Sequence, residues 1–325
     1  MSVSGRSTSE GRLIARQGEV GRKFVDPRVT LDGQPRARVQ LQSLRTLWFN
    51  TGTLCNLSCE NCYIESSPGN DRLSYLIRQD VAGYLEEIRA LSLPVGEIGF
   101  TGGEPFMNPE VVAMLRDCLE AGHRTLVLTN AMRPMLQHGD ELRELRARHG
   151  ERLTIRVSVD HFRRDLHQHE RGRGSWRPML RGLKWLSDHE FRVNVAGRTG
   201  WGETEAALRR GYRELFEAEK VRVDADDPAQ LILFPEMDEN ADVPEITTAC
   251  WGILDVNPDD MMCASSRMVV RRRGAAKPAV VACTLLPYDS RFELGATLAE
   301  SLGEVILNHG HCARFCVLGG GSCSG

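Results

Sequence analysis

Between residues 44 and 234 short apolar runs alternate with amphipathic segments, and this alternation predicts the architecture. Residues 44–50 carry Leu47, Trp48 and Phe49 in a run of strand length. Residues 80–91 then place Val81, Tyr84, Leu85, Ile88 and Leu91 at helical spacing, with Pro94 closing the helix. A second strand is predicted at 97–100. A helix follows at 109–120, with Val111, Val112, Met114, Leu115, Cys118 and Leu119 on one face and Gly122 as its stop, so Cys118 reads as a core residue. Strands are predicted at 125–129, 153–159, 192–197 and 231–234, and helices at about 137–149, 176–189 and 204–218. Six strands alternating with helices predict parallel βα units joined by right-handed crossovers. Residues 1–43, rich in Ser, Gly and Arg, read as a partly ordered arm. Beyond residue 235 helical patterns become scarce and cysteines accumulate, which places a domain boundary near 236.

The first predicted strand runs into Cys55-Asn56-Leu57-Ser58-Cys59-Glu60-Asn61-Cys62, three thiols on one short loop. Soft thiolates select iron–sulfur clusters, zinc or Cu(I) over magnesium or calcium. A structural zinc site takes a fourth protein ligand. Residues 51–62 contain no histidine, and Glu60 and Glu65 are weak partners for a thiolate site, so the loop leaves a coordination position open. An open position is where a metal site does chemistry. The second strand leads into Thr101-Gly102-Gly103-Glu104-Pro105, whose glycines let backbone approach a ligand closely.

With both elements in place the chain resembles the radical S-adenosylmethionine (SAM) superfamily, whose signature is a Cys, three residues, a Cys, two residues and a Cys. The resemblance implies a partial (β/α)6 TIM-type barrel over residues 44–235, with chemistry on loops at the carboxyl ends of the strands. It implies a [4Fe–4S] cluster held by Cys55, Cys59 and Cys62, whose remaining iron chelates the amino and carboxylate groups of SAM. One electron then cleaves the sulfonium to a 5′-deoxyadenosyl radical. Gly102, Gly103, Glu104 and Pro105 match the turn that receives the SAM amino group. The family carries an aromatic residue before the third cysteine, near the adenine; here that residue is Asn61, and Tyr63 is the aromatic candidate beside it.

Thr129-Asn130 and Ser158-Val159-Asp160 resemble strand ends that contact the ribose and methionyl parts of SAM in the family, with His161 in place of a glycine. This makes Asn130 and Ser158 cofactor-binding candidates; the alternative is that Ser158 and Asp160 simply cap loops. The run Leu166-His167-Gln168-His169-Glu170-Arg171, followed by Gly174-Ser175-Trp176, resembles a segment of sulfatase-maturating and related maturases in which an arginine grips the SAM carboxylate. A guanidinium fork suits that task, and Arg171 is the candidate. His167 and His169 read as surface residues of a loop. Asn194, Gly197 and Arg198 fall where the family contacts adenosine.

Six of the ten cysteines lie at or beyond residue 250. Cys312, Cys316 and Cys323 flank a glycine triplet that lets backbone N–H groups crowd sulfur. With Cys250, Cys263 and Cys283 they resemble the SPASM and twitch extensions of radical SAM enzymes. That resemblance implies one or two auxiliary [4Fe–4S] clusters in a cysteine-rich domain over 236–325. A zinc ribbon is the alternative, although the paired two-residue spacings of such sites are missing.

Composition bounds the rest. A net charge of −3 argues against a general nucleic-acid binder, and Arg163-Arg164, Arg171, Arg173 and Arg271-Arg272-Arg273 read as solvated faces. No signal-type or membrane-spanning apolar run occurs, so a cytoplasmic protein is expected, and ten cysteines there point to metal rather than disulfides. The sequence therefore predicts a radical SAM oxidoreductase-type enzyme acting on a small molecule or peptide. A flavodoxin or ferredoxin is the expected electron donor. A peptide maturase with a separate recognition protein, and an Fe–S electron carrier without SAM chemistry, are the alternatives. No acid/base pair is assigned; Asp160, Glu236 and Asp238 are the nearest candidates.

Overall fold

The computed structural model describes residues 22–235 and 242–322. Its first elements are β1 (Arg38–Val39), β2 (Thr46–Asn50), α1 (Arg78–Ala90), β3 (Glu97–Thr101), α2 (Val111–Glu120) and β4 (Arg124–Thr129). There follow α3 (Arg133–Gln137), α4 (Gly139–His149), β5 (Leu153–Asp160), α5 (Arg164–Arg171), α6 (Trp176–Asp188), β6 (Arg192–Arg198), α7 (Glu205–Glu219) and β7 (Leu231–Phe234). The remainder holds α8 (Cys250–Leu254), β8 (Ser266–Val270), β9 (Ala279–Val281), β10 (Glu293–Gly295) and β11 (Val305–Ile306).

Strands β2 to β7 lie side by side in chain order, every neighbour parallel. Beyond β2 the sheet continues into β8, also parallel, and then into antiparallel β9 and β10. The result is a mixed α/β fold on a nine-stranded sheet. Its edge strands β7 and β10 are not hydrogen-bonded to each other, so the sheet is not closed.

Side-chain alternation along the strands sets the two faces. Leu47, Phe49, Ile98, Phe100, Val127, Ile155 and Val157 pack with the buried faces of α1, α2, α6 and α7 in one core. Trp48, Leu126 and Met268 face the other way and join a second core built from residues 37–39 and 246–317. The segment ahead of β1 is organised by Glu245, which pairs with Arg36 at 2.5 Å and accepts the N–H groups of Phe24 and Leu31. Residues 1–21 of the predicted arm lie outside the described residues.

Two expectations need correction. The polar helix expected at about 137–149 is α4, but a further short helix that was not expected, α3, precedes it and meets it at His138. Residues 164–171 were expected as loop but form α5, and His167 is fully buried rather than on the surface, with its Nδ1–H donating to the Val159 carbonyl. The inward face of α5 consists of His167, Glu170 and Arg171, so no apolar stripe marks it in the sequence. Arg171, read as part of a solvated run, lies beside them with its side chain only 12% exposed. Among the described residues no helix is long and apolar enough to cross a membrane.

Candidate functional site

Both motif loops leave the carboxyl ends of neighbouring strands, β2 and β3, and they pack backbone to backbone. The Gly103 N–H donates to Gly52 O at 2.8 Å and the Glu104 N–H to Leu54 O at 3.1 Å. A Cβ on Gly103 would stand 2.2 Å from Leu54 O, and one on Gly102, at φ +141°, would stand 2.5 Å from Gly52 O. The glycine pair is thus required by contact with the chain that carries the thiols. Gly103→Ala is expected to displace residues 52–55 and to lower the iron retained at the thiol loop, with far-UV circular dichroism largely kept. Full iron retention would remove this account.

Glu104 does not line the cavity. Its carboxylate is buried and accepts from the Phe106 N–H at 3.2 Å, the Thr129 hydroxyl at 2.8 Å and the Asn130 N–H at 2.9 Å. Burial pushes its pKa up against these donors. Glu104 therefore braces the end of β3 against the end of β4, and Pro105 opens a single 3-10 turn. Asn130 extends the brace to the thiol loop, donating from Nδ2 to Asn56 Oδ1 at 2.9 Å.

Cys55, Cys59 and Cys62 line one cavity, together with Tyr63, Gly102, Gly103, Asn130, Ser158, Asp160 and Arg171. Cys55 Sγ accepts the Leu57 N–H at 3.4 Å, and Cys62 Sγ the Ser66 N–H at 3.3 Å. Such N–H···S contacts stabilise cluster-bound thiolates. Burial pushes the Cys55 thiol up to about 12 and raises Cys59 as well. Buried sulfurs of this kind ionise when a bound cation takes over their charge. Donor chemistry and N–H contacts thus fit a thiolate-ligated cluster. Among the described residues no three His, Cys, Asp or Glu side chains close on a point that could hold a single ion.

The loop between the second and third thiols is held by a buried ionic network. Glu170 accepts from the Asn61 N–H at 3.0 Å and from Asn61 Nδ2 at 2.8 Å, and its carbonyl accepts the Glu60 N–H at 2.8 Å. Arg198 donates to Asn61 O at 3.1 Å and approaches Glu170 at 3.5 Å. Asp160 sits where the β5–β6 register shifts, at φ +58°, and turns its carboxylate to Arg171 Nε at 2.5 Å and Arg198 Nε at 3.4 Å. Burial alone would raise the Asp160 carboxyl, yet the Arg171 guanidinium, with Arg198 behind it, holds it below the usual range. Asn61 therefore spends its side chain on Glu170. Sequence reasoning missed Glu170, because a buried carboxylate leaves no local pattern; its place beside Arg171 was the only signal.

A second, smaller cavity brings together Cys263, Cys283, Cys312 and Cys316, walled by Met261, Met262, Leu286 and Phe292. Cys312 and Cys316 lie on one π-helical turn, Cys312–Val317, a local widening frequently found at functional sites. The same turn sends Phe315 into the first cavity, where Leu285 joins it, so a single structural unit walls both cavities. Cys250 is not among the residues of the second cavity; its Sγ accepts the Thr247 N–H at 3.4 Å. Cys323 lies outside the described residues, as do Glu236 and Asp238. Cys118 is fully buried on α2, within the helical core.

Comparison with known proteins adds relatives. The chain is 31% identical over 144 residues to the antilisterial bacteriocin subtilosin biosynthesis protein AlbA of Bacillus subtilis (strain 168), covering 44% of this chain and 30% of that one. It is 28% identical over 144 residues to the AdoMet-dependent heme synthase of Methanosarcina barkeri (strain Fusaro / DSM 804), covering 43% of this chain and 39% of that one. The chain thus spans well under half the length of these curated relatives. Among solved structures, Streptococcus suis SuiB bound to S-adenosylmethionine aligns with a TM-score of 0.55 at 12% identity, over 79% of this chain and 64% of that one. Native anSMEcpe with bound AdoMet aligns at 0.54 and 14% identity, over 79% of each. The fold is therefore one shared with radical SAM structures. The family model described as the radical SAM superfamily matches residues 49–214, from the strand that feeds the thiol loop to the helix after β6. That match covers just over half of the chain and carries all three cavity thiols and the Gly-Gly-Glu-Pro turn, so the chain belongs to the radical SAM superfamily.

Proposed function

We propose that this chain is an enzyme that binds a [4Fe–4S] cluster on Cys55, Cys59 and Cys62, cleaves SAM reductively and abstracts hydrogen from a peptide. The observation that carries this reading is the convergence of the three sulfurs with Gly102, Gly103, Asn130, Ser158 and Arg171 on one cavity at the carboxyl ends of the strands. When bound, the cluster supplies the electron that breaks the sulfonium carbon–sulfur bond. The chain's own residues bind and orient. Arg171, fixed by Asp160, is the candidate partner for the SAM carboxylate; the backbone at Gly102 and Gly103 is the candidate for its amino group. Asn130 and Ser158, which line the same cavity, are the candidates for the ribose and methionyl parts, and Tyr63 is the aromatic candidate for the adenine. Leu128, Ala196, Phe234, Leu285 and Phe315 give the cavity an apolar wall that excludes water from a reactive species.

The six parallel strands in chain order support a partial (β/α)6 barrel over residues 44–235, completed by a cysteine-rich unit over 236–325. The four cysteines around the second cavity support an auxiliary [4Fe–4S] cluster of the SPASM or twitch kind, with Cys263, Cys283, Cys312 and Cys316 as ligands. A peptide substrate is favoured over a small molecule by two names among the relatives. AlbA is a bacteriocin biosynthesis protein, and SuiB has been solved with its precursor peptide SuiA. This chemistry requires a one-electron reductant, for which a cytoplasmic flavodoxin or ferredoxin is the candidate.

Anaerobic reconstitution of the full chain tests the reading. Iron and acid-labile sulfide should match two cubanes, and SAM with dithionite should give 5′-deoxyadenosine. Zinc in place of iron, or no 5′-deoxyadenosine from the loaded protein, would overturn it.

A further inference from the structure

The second thiol cavity has a buried cation built against it. Arg267, on β8, is fully buried. It donates from Nε to Ser301 O at 2.8 Å, from Nη1 to Cys263 O at 2.6 Å and Ser266 O at 2.8 Å, and from Nη2 to Gly303 O at 2.8 Å. All four acceptors are main-chain carbonyls. Among the described residues no carboxylate lies within ion-pair distance of it, whereas buried Arg36 and the partly buried Arg171 and Arg198 all have one. Neutral carbonyls satisfy the N–H groups but leave the charge itself without a counterion. A buried charge so placed costs several kcal/mol unless an anion offsets it.

The groups nearby that can carry negative charge, once a bound metal takes their protons' place, are sulfurs. Arg267 holds the carbonyl of Cys263 in its fork, and the Cys263 side chain opens into the cavity shared with Cys283, Cys312 and Cys316. Burial draws the Arg267 pKa down to about 10, and the charges of Cys263 and Cys283 act against that fall. The guanidinium also ties together the turn that carries Cys263, the start of β8 and the turn at 301–303, so its position relative to the sulfurs is fixed from three sides.

Building on the auxiliary cluster proposed above, we infer that Arg267 is a positioning and charge-compensating residue that raises the reduction potential of a cluster bound by Cys263, Cys283, Cys312 and Cys316. A thiolate-ligated cubane is anionic and gains one further negative charge on reduction. A fixed positive charge in a dry site therefore stabilises the reduced state more than the oxidised one, and the potential rises. At the first cavity no such uncompensated charge acts, because Arg171 and Arg198 are already paired with Asp160 and Glu170.

The test is a reductive titration of the reconstituted full chain, followed by electron paramagnetic resonance, with the signal that SAM does not perturb assigned to the second cavity. Arg267→Gln should keep the iron content and move that midpoint to more negative potential, whereas Arg267→Lys, which retains the charge, should stay near the parent. Because Arg267→Gln strips donors from four carbonyls and can fail to fold, Gly303→Asp is the second arm. A Cβ at Gly303 meets nothing within 4 Å, so the larger residue fits, and it adds a negative charge on the residue whose carbonyl Arg267 Nη2 holds. It should shift the same midpoint in the same direction by less. Iron for two cubanes with an unmoved midpoint in Gly303→Asp would overturn the inference alone. Iron for a single cubane in the parent would overturn the auxiliary-cluster reading and the inference with it.

Discussion

Cys59→Ala is expected to abolish 5′-deoxyadenosine formation while leaving the fold in place. Cys59 is only partly buried, on a loop whose shape is set by Asn61 and Glu170 rather than by its own sulfur, so its removal takes away a ligand and little packing. Iron content should fall by about one cubane and product to background, with the remaining iron held by the second cavity. Two other cysteines make the comparison decisive. Cys118→Ala should cost about 1 kcal/mol of stability, from lost apolar burial within the helical core, and leave iron and product unchanged. Cys250→Ala should also retain full iron, because Cys250 does not line the second cavity and its Sγ accepts the Thr247 N–H instead. If Cys59→Ala kept turning over SAM while Cys118→Ala or Cys250→Ala lost iron, the assignment of thiols to sites would be wrong.

What the sequence made legible follows from how local each signal is. The strands of the sheet announce themselves because a parallel strand covered on both faces carries a continuous apolar run, as Leu47-Trp48-Phe49 does within the wholly buried strand Thr46–Asn50. The thiol loop and the Gly-Gly-Glu-Pro turn are legible because each compresses its chemistry into a few adjacent residues. The continuation of the sheet into β8 was not, since Ser266–Val270 lies more than two hundred residues beyond β2 and nothing local names its partner. Helix α5 escaped because its buried face is made of His167, Glu170 and Arg171, residues that count as polar in any periodicity. Asn61 and Glu104 carry the same lesson. Asn61, in the position the family gives to an aromatic, serves the loop through Glu170. Glu104, matched by motif to the cofactor, spends its carboxylate on Phe106, Thr129 and Asn130. In both cases a polar partner distant in sequence, Glu170 for Asn61 and Thr129 with Asn130 for Glu104, claims the side chain.

The second large effect concerns Asp160. Its side chain is 5% exposed and neutralises Arg171 and Arg198, at 12% and 17%, so removing its charge leaves two mostly buried guanidiniums with Glu170 as the remaining anion. Breaking one partner out of such a network costs about 3–5 kcal/mol. Asp160→Asn is the cleanest probe, because asparagine tolerates the left-handed backbone at φ +58° and keeps the shape. Asp160→Ala should cost about 1 kcal/mol more from backbone strain, and Asp160→Gly should recover that increment but not the rest. The pH dependence fixes the cause. Since the folded carboxyl is held below its ordinary value of 3.8, its contribution is fully present above that value and is lost as pH falls through the lower folded value. The stability gap between parent and Asp160→Asn, measured by urea unfolding of the metal-free chain, should therefore be constant from about pH 5 to 8 and close only in stronger acid. A gap that opened or closed near neutrality would point to another group. No gap at all would mean that Arg171 and Arg198 find their counterions elsewhere, and that the thiol loop is not held through this carboxylate.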